Sequence, residues 1–141
     1  MELALHAYGP ESTREEREAI AGRVSVVDDG ILLLHELPIQ SSFSVNLMFD
    51  QMEHLARNWG RFAYVVDLTE AKRPDPETRA ALKARVLRVR PRIAHIAVAV
   101  GDNLLMRAMA RLFAHGMGVA SVGVHATRAE AIEEARRVMG R

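Results

Sequence analysis

Residues 61–71 read RFAYVVDLTEA, and this stretch decides the fold of the chain. Its first part is a nearly continuous apolar run rich in β-formers, which is typical of a strand covered on both faces in a parallel sheet. The run ends at Asp67 and Thr69, a carboxylate and a hydroxyl placed where the strand leaves the sheet. Ligands and partners of open α/β sheets usually bind at that carboxyl edge. We therefore expect the functional surface next to Asp67 and Thr69.

Length and composition predict an ordinary globular protein. The chain has 141 residues, of which 49% are hydrophobic and 26% charged, and its net charge is +1. This balance creates no global field that would select nucleic acid or a membrane surface. The absence of cysteine excludes disulfides, thiolate catalysis and cysteine metal sites. No apolar run approaches the ~20 residues that span a bilayer, and the N-terminus lacks a secretory signal pattern. We expect a cytoplasmic protein without membrane insertion.

The first 22 residues differ from the rest, because their pattern assigns no single structure. Ser12 and Glu15 form a capping-box pattern, which predicts a charged helix that ends before Gly22. No linker, internal repeat or change of composition follows, so residues 23–141 are expected to form one domain. The chain is therefore divided into an N-terminal segment, residues 1–22, and a single folded domain.

Two strands and a helix are predicted before the central run. Residues 28–30, Asp-Asp-Gly, lie between two apolar runs and predict a hairpin of antiparallel strands at 23–28 and 31–37. His35 has no partner at metal-ligand spacing, so we interpret it as an isolated, hydrogen-bonded histidine. A helix then follows up to Gly60, because apolar residues recur at three- and four-residue steps and make one face.

The next helix, predicted at residues 76–90, is strongly basic. Asp75 suits its N-cap, Pro76 suits its first position and Pro91 stops it. From position 72 to position 92 there are eight basic residues: Lys72, Arg73, Arg79, Lys83, Arg85, Arg88, Arg90 and Arg92. Only two acids lie among them. They form either a surface for an acidic partner or the solvated face of a helix in an arginine-rich protein.

Two more strands and two more helices complete the alternation. Residues 93–100 and 120–126 are predicted strands, and His95, inside the first, is interpreted as a hydrogen-bonded core residue. Asp102 is the expected cap of the helix between them, and Thr127 begins a capping box at the terminal helix. Strands separated by helices imply parallel pairing through right-handed crossovers.

The helix after Asp102 carries more apolar side chains than one sheet face needs. They are Leu104, Leu105, Met106, Met109, Leu112 and Phe113. A helix that is apolar on most sides is buried on most sides. We therefore expect a homodimer that uses this helix or the N-terminal segment. A polar stripe at four-residue spacing also runs along the helix, through Asn103, Arg107, Arg111 and His115.

Three short motifs connect the chain to a known family. They are VVDLTEA at 65–71, RIAHIAVAVGDN at 92–103 and ATRAEAIEEARRVM at 126–139. With the order of elements, they resemble the STAS superfamily, and within it the SpoIIAA-like branch of small bacterial proteins. The resemblance implies an α/β fold of SpoIIAA-like (STAS) type, with a mixed sheet, three parallel crossover strands, an N-terminal hairpin and flanking helices. It also implies a regulatory binding module that is not an enzyme, and we expect no cofactor.

The resemblance also bears on a phosphorylation switch. In regulatory STAS proteins a D-L-S segment ends the central strand, and a serine in the following D-S-S-G loop is phosphorylated to control docking. Here residues 67–69 match the first segment, and Asp75 matches the loop aspartate. The serine positions fall on Pro76 and Glu77, and Thr78 is out of register. The resemblance therefore implies a docking site whose serine switch is lost.

The residues expected to contact a protein partner lie on this loop, on the basic helix and at the start of the next helix. They are Asp67, Thr69, Asp75, Thr78, Arg79, Arg85, Arg88, Asp102, Asn103 and Arg107. The partner is expected to be a protein or a second copy of the chain. Nucleic acid and metal are not expected as ligands, because there is neither a strong net charge nor a histidine group at ligand spacing.

Two alternatives to a protein-binding module are open. Asp67, Asp102 and His125 lie at the predicted carboxyl edge, near Asp75, and an aspartate–histidine pair can perform acid–base catalysis. No recognised catalytic or phosphate-binding motif accompanies them. The other alternative is a small-ligand site for a lipid or nucleotide. An apolar cavity of about 300 Å³ or more would favour the ligand site, and a flat basic surface without a cavity would favour the protein partner.

Overall fold

The computed structural model describes all 141 residues and contains five strands and five α-helices. The strands are β1 (Val24–Asp28), β2 (Ile31–His35), β3 (Phe62–Asp67), β4 (Ile93–Ala99) and β5 (Val122–His125). The helices are α1 (Arg14–Ala21), α2 (Ser42–Leu55), α3 (Pro76–Val89), α4 (Leu104–Gly116) and α5 (Arg128–Val138). Strands and helices alternate after an initial hairpin, so the predicted α/β class is confirmed.

The strands form one mixed sheet in the order β1-β2-β3-β4-β5. β1 and β2 are antiparallel and joined by the predicted hairpin, where Gly30 has a φ of 75° that glycine adopts without strain. β3, β4 and β5 are parallel neighbours, as predicted, and β2 joins β3 as a fourth parallel strand. β3 lies in the middle, with Tyr64 paired to Leu32 on one side and to Ile96 on the other.

The two faces of the sheet are covered unequally. Consecutive parallel strands are neighbours, so right-handed crossovers place α2, α3 and α4 on the same face. Large buried side chains such as Met48 and Phe62 fill the core on that face, which α1 also covers through Ile20. α5 alone packs on the opposite face, where Ala97 and Ala131 make a thinner core of small residues. The cavity described below lies on the face covered by α3 and α4.

The first helix begins one residue later than the sequence pattern predicts, at Thr13 in place of Ser12. The Thr13 hydroxyl accepts from the Glu16 N–H, and the Glu16 carboxylate accepts from the Thr13 N–H, which completes a capping box. Ser12 is not free for that role, because its hydroxyl donates to the Gly9 carbonyl at 2.7 Å. The turn after Gly9 therefore decides where the helix starts.

Helices α2 and α3 are joined by Arg85, which is buried between them. Its guanidinium donates to Glu53 and lies 2.8 Å from Asp50 Oδ1, both on α2. It also donates to the Asn46 carbonyl at 3.2 Å. A buried cation that loses its partners is costly, so this contact fixes the distance between the two helices. Arg88, one turn later, reaches Glu53 from an exposed position.

We expect Arg85→Ala to lower the free energy of unfolding by about 2 kcal/mol, because it removes a buried guanidinium that is hydrogen-bonded to the half-buried Glu53 on α2. Arg88→Ala is the matched control, and its exposed ion pair contributes less than about 1 kcal/mol. Urea unfolding of both variants measures the difference. Equal effects of the two substitutions would contradict the role of Arg85.

Candidate functional site

The carboxyl end of β3 is fixed by Asp67, which is only 4% exposed. Its Oδ1 accepts from the Thr69 N–H at 2.9 Å and from the Thr69 hydroxyl at 2.6 Å. Its Oδ2 accepts from Arg128 Nε on α5 at 2.8 Å. Burial alone would raise the pKa of Asp67, but these hydrogen bonds together lower it. Asp67 and Thr69, both predicted partner contacts, therefore bind each other and tie the loop to α5.

The start of α3 is closed in the same way. Asp75 Oδ1 accepts from the Thr78 N–H at 2.7 Å, and this backbone hydrogen bond is the main cause of the lowered pKa of Asp75. The predicted cap is confirmed, with Pro76 in the first turn. Thr78 is 1% exposed, so its hydroxyl is out of reach of a kinase or a partner. Glu77 is exposed and accepts from the Ser42 hydroxyl.

The predicted basic surface is not continuous. Arg85 is buried against α2, so it does not belong to an exposed face. Arg88 is exposed but paired with Glu53. Arg79 is half-buried and lines a cavity together with Lys72. Arg85 and Arg88 are therefore held by Glu53, whereas Lys72, Arg73 and Lys83 are exposed.

Helix α4 begins at Asn103 and not at Asp102. The Asn103 Oδ1 accepts from two backbone N–H groups of the first turn, at 3.0 and 3.1 Å, whereas Asp102 sits in the preceding turn and is exposed. The amide is better placed because it follows the turn at Gly101, where φ is 72°. Asn103 is therefore committed to the cap. Arg107, the next residue of the polar stripe, has a buried Nε without a hydrogen-bond partner.

The outer side of α4 is apolar and uncovered in the single chain. Leu104 is 78% exposed, Leu105 is 69% exposed and Leu112 is 71% exposed. Ala114 is the buried residue of the helix. An exposed cluster of leucines is uncommon on a monomer and marks surfaces that bind something apolar. This is the surface that the sequence assigns to self-association.

A pair of histidines surrounds one carboxylate beneath α5. His95 Nε2 lies 2.5 Å from Glu134 Oε1, and His95 Nδ1 lies 2.6 Å from the Ser121 hydroxyl. His125 Nε2 contacts the other carboxylate oxygen of Glu134, outside hydrogen-bond geometry. The interpretation of His95 as a hydrogen-bonded core residue is confirmed. Its partner Glu134 was missed, because its position on the terminal helix reads as solvent-facing.

Gly123 makes this approach of Glu134 to the sheet possible. A Cβ at position 123 would lie 1.7 Å from Glu134 Oε1, which no side chain can accommodate. The glycine on β5 is therefore the gap through which the carboxylate reaches His95. His95 from β4 and His125 from β5 both contact the Glu134 carboxylate of α5, so the cluster links these three elements internally.

A cavity of about 170 Å³ lies between the sheet, α3 and α4. Of its 21 lining residues 16 are hydrophobic. The apolar lining includes Leu34, Tyr64 and Val98 from the sheet, Leu82 and Val86 from α3, and Met106, Met109 and Phe113 from α4. The cavity is smaller than the 300–1,000 Å³ of drug-sized pockets. It compares with cavities of ~150 Å³ that bind a benzene-sized molecule.

Two polar side chains after β2, Glu36 and Gln40, form part of the same lining. Glu36 is 3% exposed, and burial raises its pKa to about 7, although it accepts from the Leu37 N–H and lies near Arg23. Gln40 is 9% exposed, and its Oε1 is buried without a partner. Both residues were missed by the sequence analysis. A usable signal existed, because Glu36 follows Leu34 on the core-facing alternation of β2.

The structure offers less support for the other candidate interactions, those with a metal ion or a membrane. No group of three His, Asp or Glu side chains is arranged to hold a metal ion. None of the helices combines the length and the apolar character needed to cross a bilayer. The isolated histidine predicted at His35 contacts Glu70 through its Nε2 at 3.3 Å. Burial lowers the pKa of His35, and Arg23 adds to this effect.

Comparison with known proteins gives no family: no family model matches the chain, and no curated protein matches it.

Replacement of Glu36 by glutamine should change the pH dependence of stability. The ordinary pKa of a glutamate is 4.5, and that of Glu36 is raised to about 7, so the folded state holds the extra proton between these values. Stability from this group is present below pH 4.5 and is lost as the pH rises to 7. We expect the free energy of unfolding of Glu36→Gln to exceed that of wild type by on the order of 3 kcal/mol at pH 8. At pH 4.5 the two proteins should differ little.

Urea unfolding across pH 4.5–8 gives one curve of stability against pH for wild type and one for Glu36→Gln. The difference between these two curves removes the contribution of the other titrating groups. Glu133→Gln, at an exposed position of α5, is the control and should run parallel to wild type. Parallel curves for Glu36→Gln would show that Glu36 is not held neutral in the folded protein.

Proposed function

We propose that this chain is a non-catalytic binding module whose site is the apolar cavity next to the carboxyl edge of the sheet. One observation carries the proposal: a cavity lined mainly by hydrophobic residues is also lined by two buried polar side chains, Glu36 and Gln40. A buried polar group is costly unless it has a polar partner. A bound molecule with an apolar body and a polar group would fill the space and meet the polar part of the lining.

The size and lining of the cavity narrow the class of ligand. At about 170 Å³ it is smaller than the 300 Å³ that the sequence analysis set as favouring a ligand, so a full lipid does not fit inside. A nucleotide is disfavoured as well, because the inner lining offers few polar groups for a base and a sugar. A single ring or a short branched or linear chain matches the space.

The positions of the candidate acid–base residues support a non-catalytic role. Asp67 pairs in register with Ala99 of β4, and Ala99 pairs with His125 of β5. Asp67 and His125 are thus two strands apart, a separation of about 10 Å. Asp75 is committed to the α3 cap and Asp67 to Thr69 and Arg128. No aspartate–histidine pair of the predicted set is within proton-transfer distance.

A second candidate is the regulatory, protein-binding module that the STAS resemblance implies. The observation that favours it is the exposed apolar side of α4, formed by Leu104, Leu105 and Leu112. The element order after the hairpin agrees with such a module, and the buried Thr78 supports a docking surface that is not switched by phosphorylation there. A bacterial STAS assignment and a cytoplasmic location are part of this proposal.

The cavity proposal is tested with a neutral apolar probe. Titration of the methyl-labelled protein with n-hexanol should shift the NMR signals of cavity methyls such as Leu34 and Leu82 and saturate at millimolar concentration. Val98→Phe fills the cavity from the sheet and should abolish the shifts. Ala110→Leu, on α4, is a second blocking variant for the case that Val98→Phe does not fold.

Val26→Phe is the matched control, because it makes the same change at a half-exposed position on β1, outside the cavity. It should bind n-hexanol as wild type does. Saturable shifts that persist in both blocking variants, or no shifts in wild type, would exclude the cavity as the site.

The second candidate is tested by the oligomeric state. If the outer side of α4 joins two copies, light scattering at 100 μM should give twice the mass of one chain. A double substitution, Leu105→Glu with Leu112→Glu, should return the mass to that of one chain, because two charges then face the interface. Arg14→Glu, at an exposed position on α1, is the control and should leave the mass unchanged. A wild type that is monomeric at this concentration contradicts self-association.

A further inference from the structure

The lining of the cavity includes charged residues as well as apolar ones, and the inference drawn from them rests on the binding function proposed above. Most of the lining is apolar, including Ile96 and Phe113, whereas two cations, Lys72 and Arg79, line it as well. Neither cation forms an ion pair within the chain, unlike Arg85 and Arg128. Unpaired cations beside an apolar space are a feature that a second charge of opposite sign can use.

The backbone places these cations at the same end as the polar wall. The Lys72 N–H donates to the Pro38 carbonyl at 2.9 Å, which holds the loop after β3 against the segment that carries Gln40. Gln40 and Glu36 are buried polar residues of the same lining. Arg79 lies near the start of α3, at the edge where the loop after β3 ends. The two cations therefore lie on the side of the lining that carries its buried polar residues.

We propose that the cavity binds a small amphipathic anion, with its carboxylate or phosphate at Lys72 and Arg79 and its apolar part in the inner cavity. Glu36 shares this wall, and its pKa of about 7 means that it is neutral just below neutral pH. A neutral carboxyl donates a hydrogen bond to an anion and does not repel it. The apolar part is limited by the cavity volume to about one ring or a short chain.

The test compares three probes with the same chain and different head groups: hexanoate, n-hexanol and hexylamine. Methyl NMR titrations at pH 6 give each dissociation constant. Hexanoate should bind about tenfold more tightly than n-hexanol, which corresponds to two partly exposed ion pairs, and hexylamine should bind more weakly than either. Hexyl phosphate is added as a fourth probe, because it separates a phosphate preference from a carboxylate preference.

The variant pair isolates the two cations. Lys72→Gln with Arg79→Gln should reduce the affinity for hexanoate about tenfold, to that of n-hexanol, and leave n-hexanol binding unchanged. Arg73→Gln with Lys83→Gln is the matched control: it removes two charges from the same loop and helix at exposed positions that do not line the cavity. The control should bind hexanoate as wild type does.

The outcomes separate this inference from the function on which it rests. If the three probes bind equally well, or if both double variants lose hexanoate affinity alike, the anion site is wrong while the cavity remains a binding site. If none of the probes binds the wild-type protein, the cavity function itself is wrong. If hexanoate binds tightly and only the Lys72 and Arg79 variant weakens it, the result supports both the anion site and the cavity function.

Discussion

The structure depends on the hydrogen bonding of β3 to a parallel neighbour on each side. Tyr64 pairs with Leu32 and with Ile96, and the pairing continues to the end of the strand at Asp67. A strand held in this way has both faces buried, which explains its apolar sequence. The same pairing aligns the carboxyl ends of β2, β3 and β4, so that the segments after them meet at one edge. Glu36 and the loop after Asp67 are neighbours for this reason, as the hydrogen bond from the Glu36 N–H to the Asp67 carbonyl shows.

The difference between the two sheet faces explains where a cavity can exist. On the α5 face, alanines and Gly123 let the helix approach closely, and Glu134 reaches through the remaining gap to His95. On the other face α2, α3 and α4 pack over large side chains. α3 presents a narrow apolar stripe, and Arg85 ties it to α2. Because α3 is held towards α2, the space between α3 and α4 is not closed by packing.

The sequence predicts the fold in most respects, because its local signals for turns, strands and helix caps agree with the strand pairing of the sheet. The Asp-Gly turn, the buried-strand runs and the caps at Asp75 and Thr127 are each local. The site could be predicted only in part. Asp67 and Thr69 were placed correctly at the sheet edge, but their mutual hydrogen bonds were not foreseen. Burial of Arg85, and the meeting of Glu36 and Gln40 with residues of α3 and α4, depend on contacts distant in sequence, which no periodicity reports.

The polar wall of the cavity separates a binding site from a packing defect. A defect in a core is lined by apolar atoms that fail to meet, and it stays dry and empty of polar groups. Here a carboxyl and an amide are buried where leucine-like residues would fill the same space with greater stability, since each unsatisfied polar group costs about 1–3 kcal/mol. The Oε1 of Gln40 contributes no hydrogen bond to the fold. Under the proposed function, a bound molecule uses the polar part of the lining, and the cations on the same lining indicate the charge of that molecule.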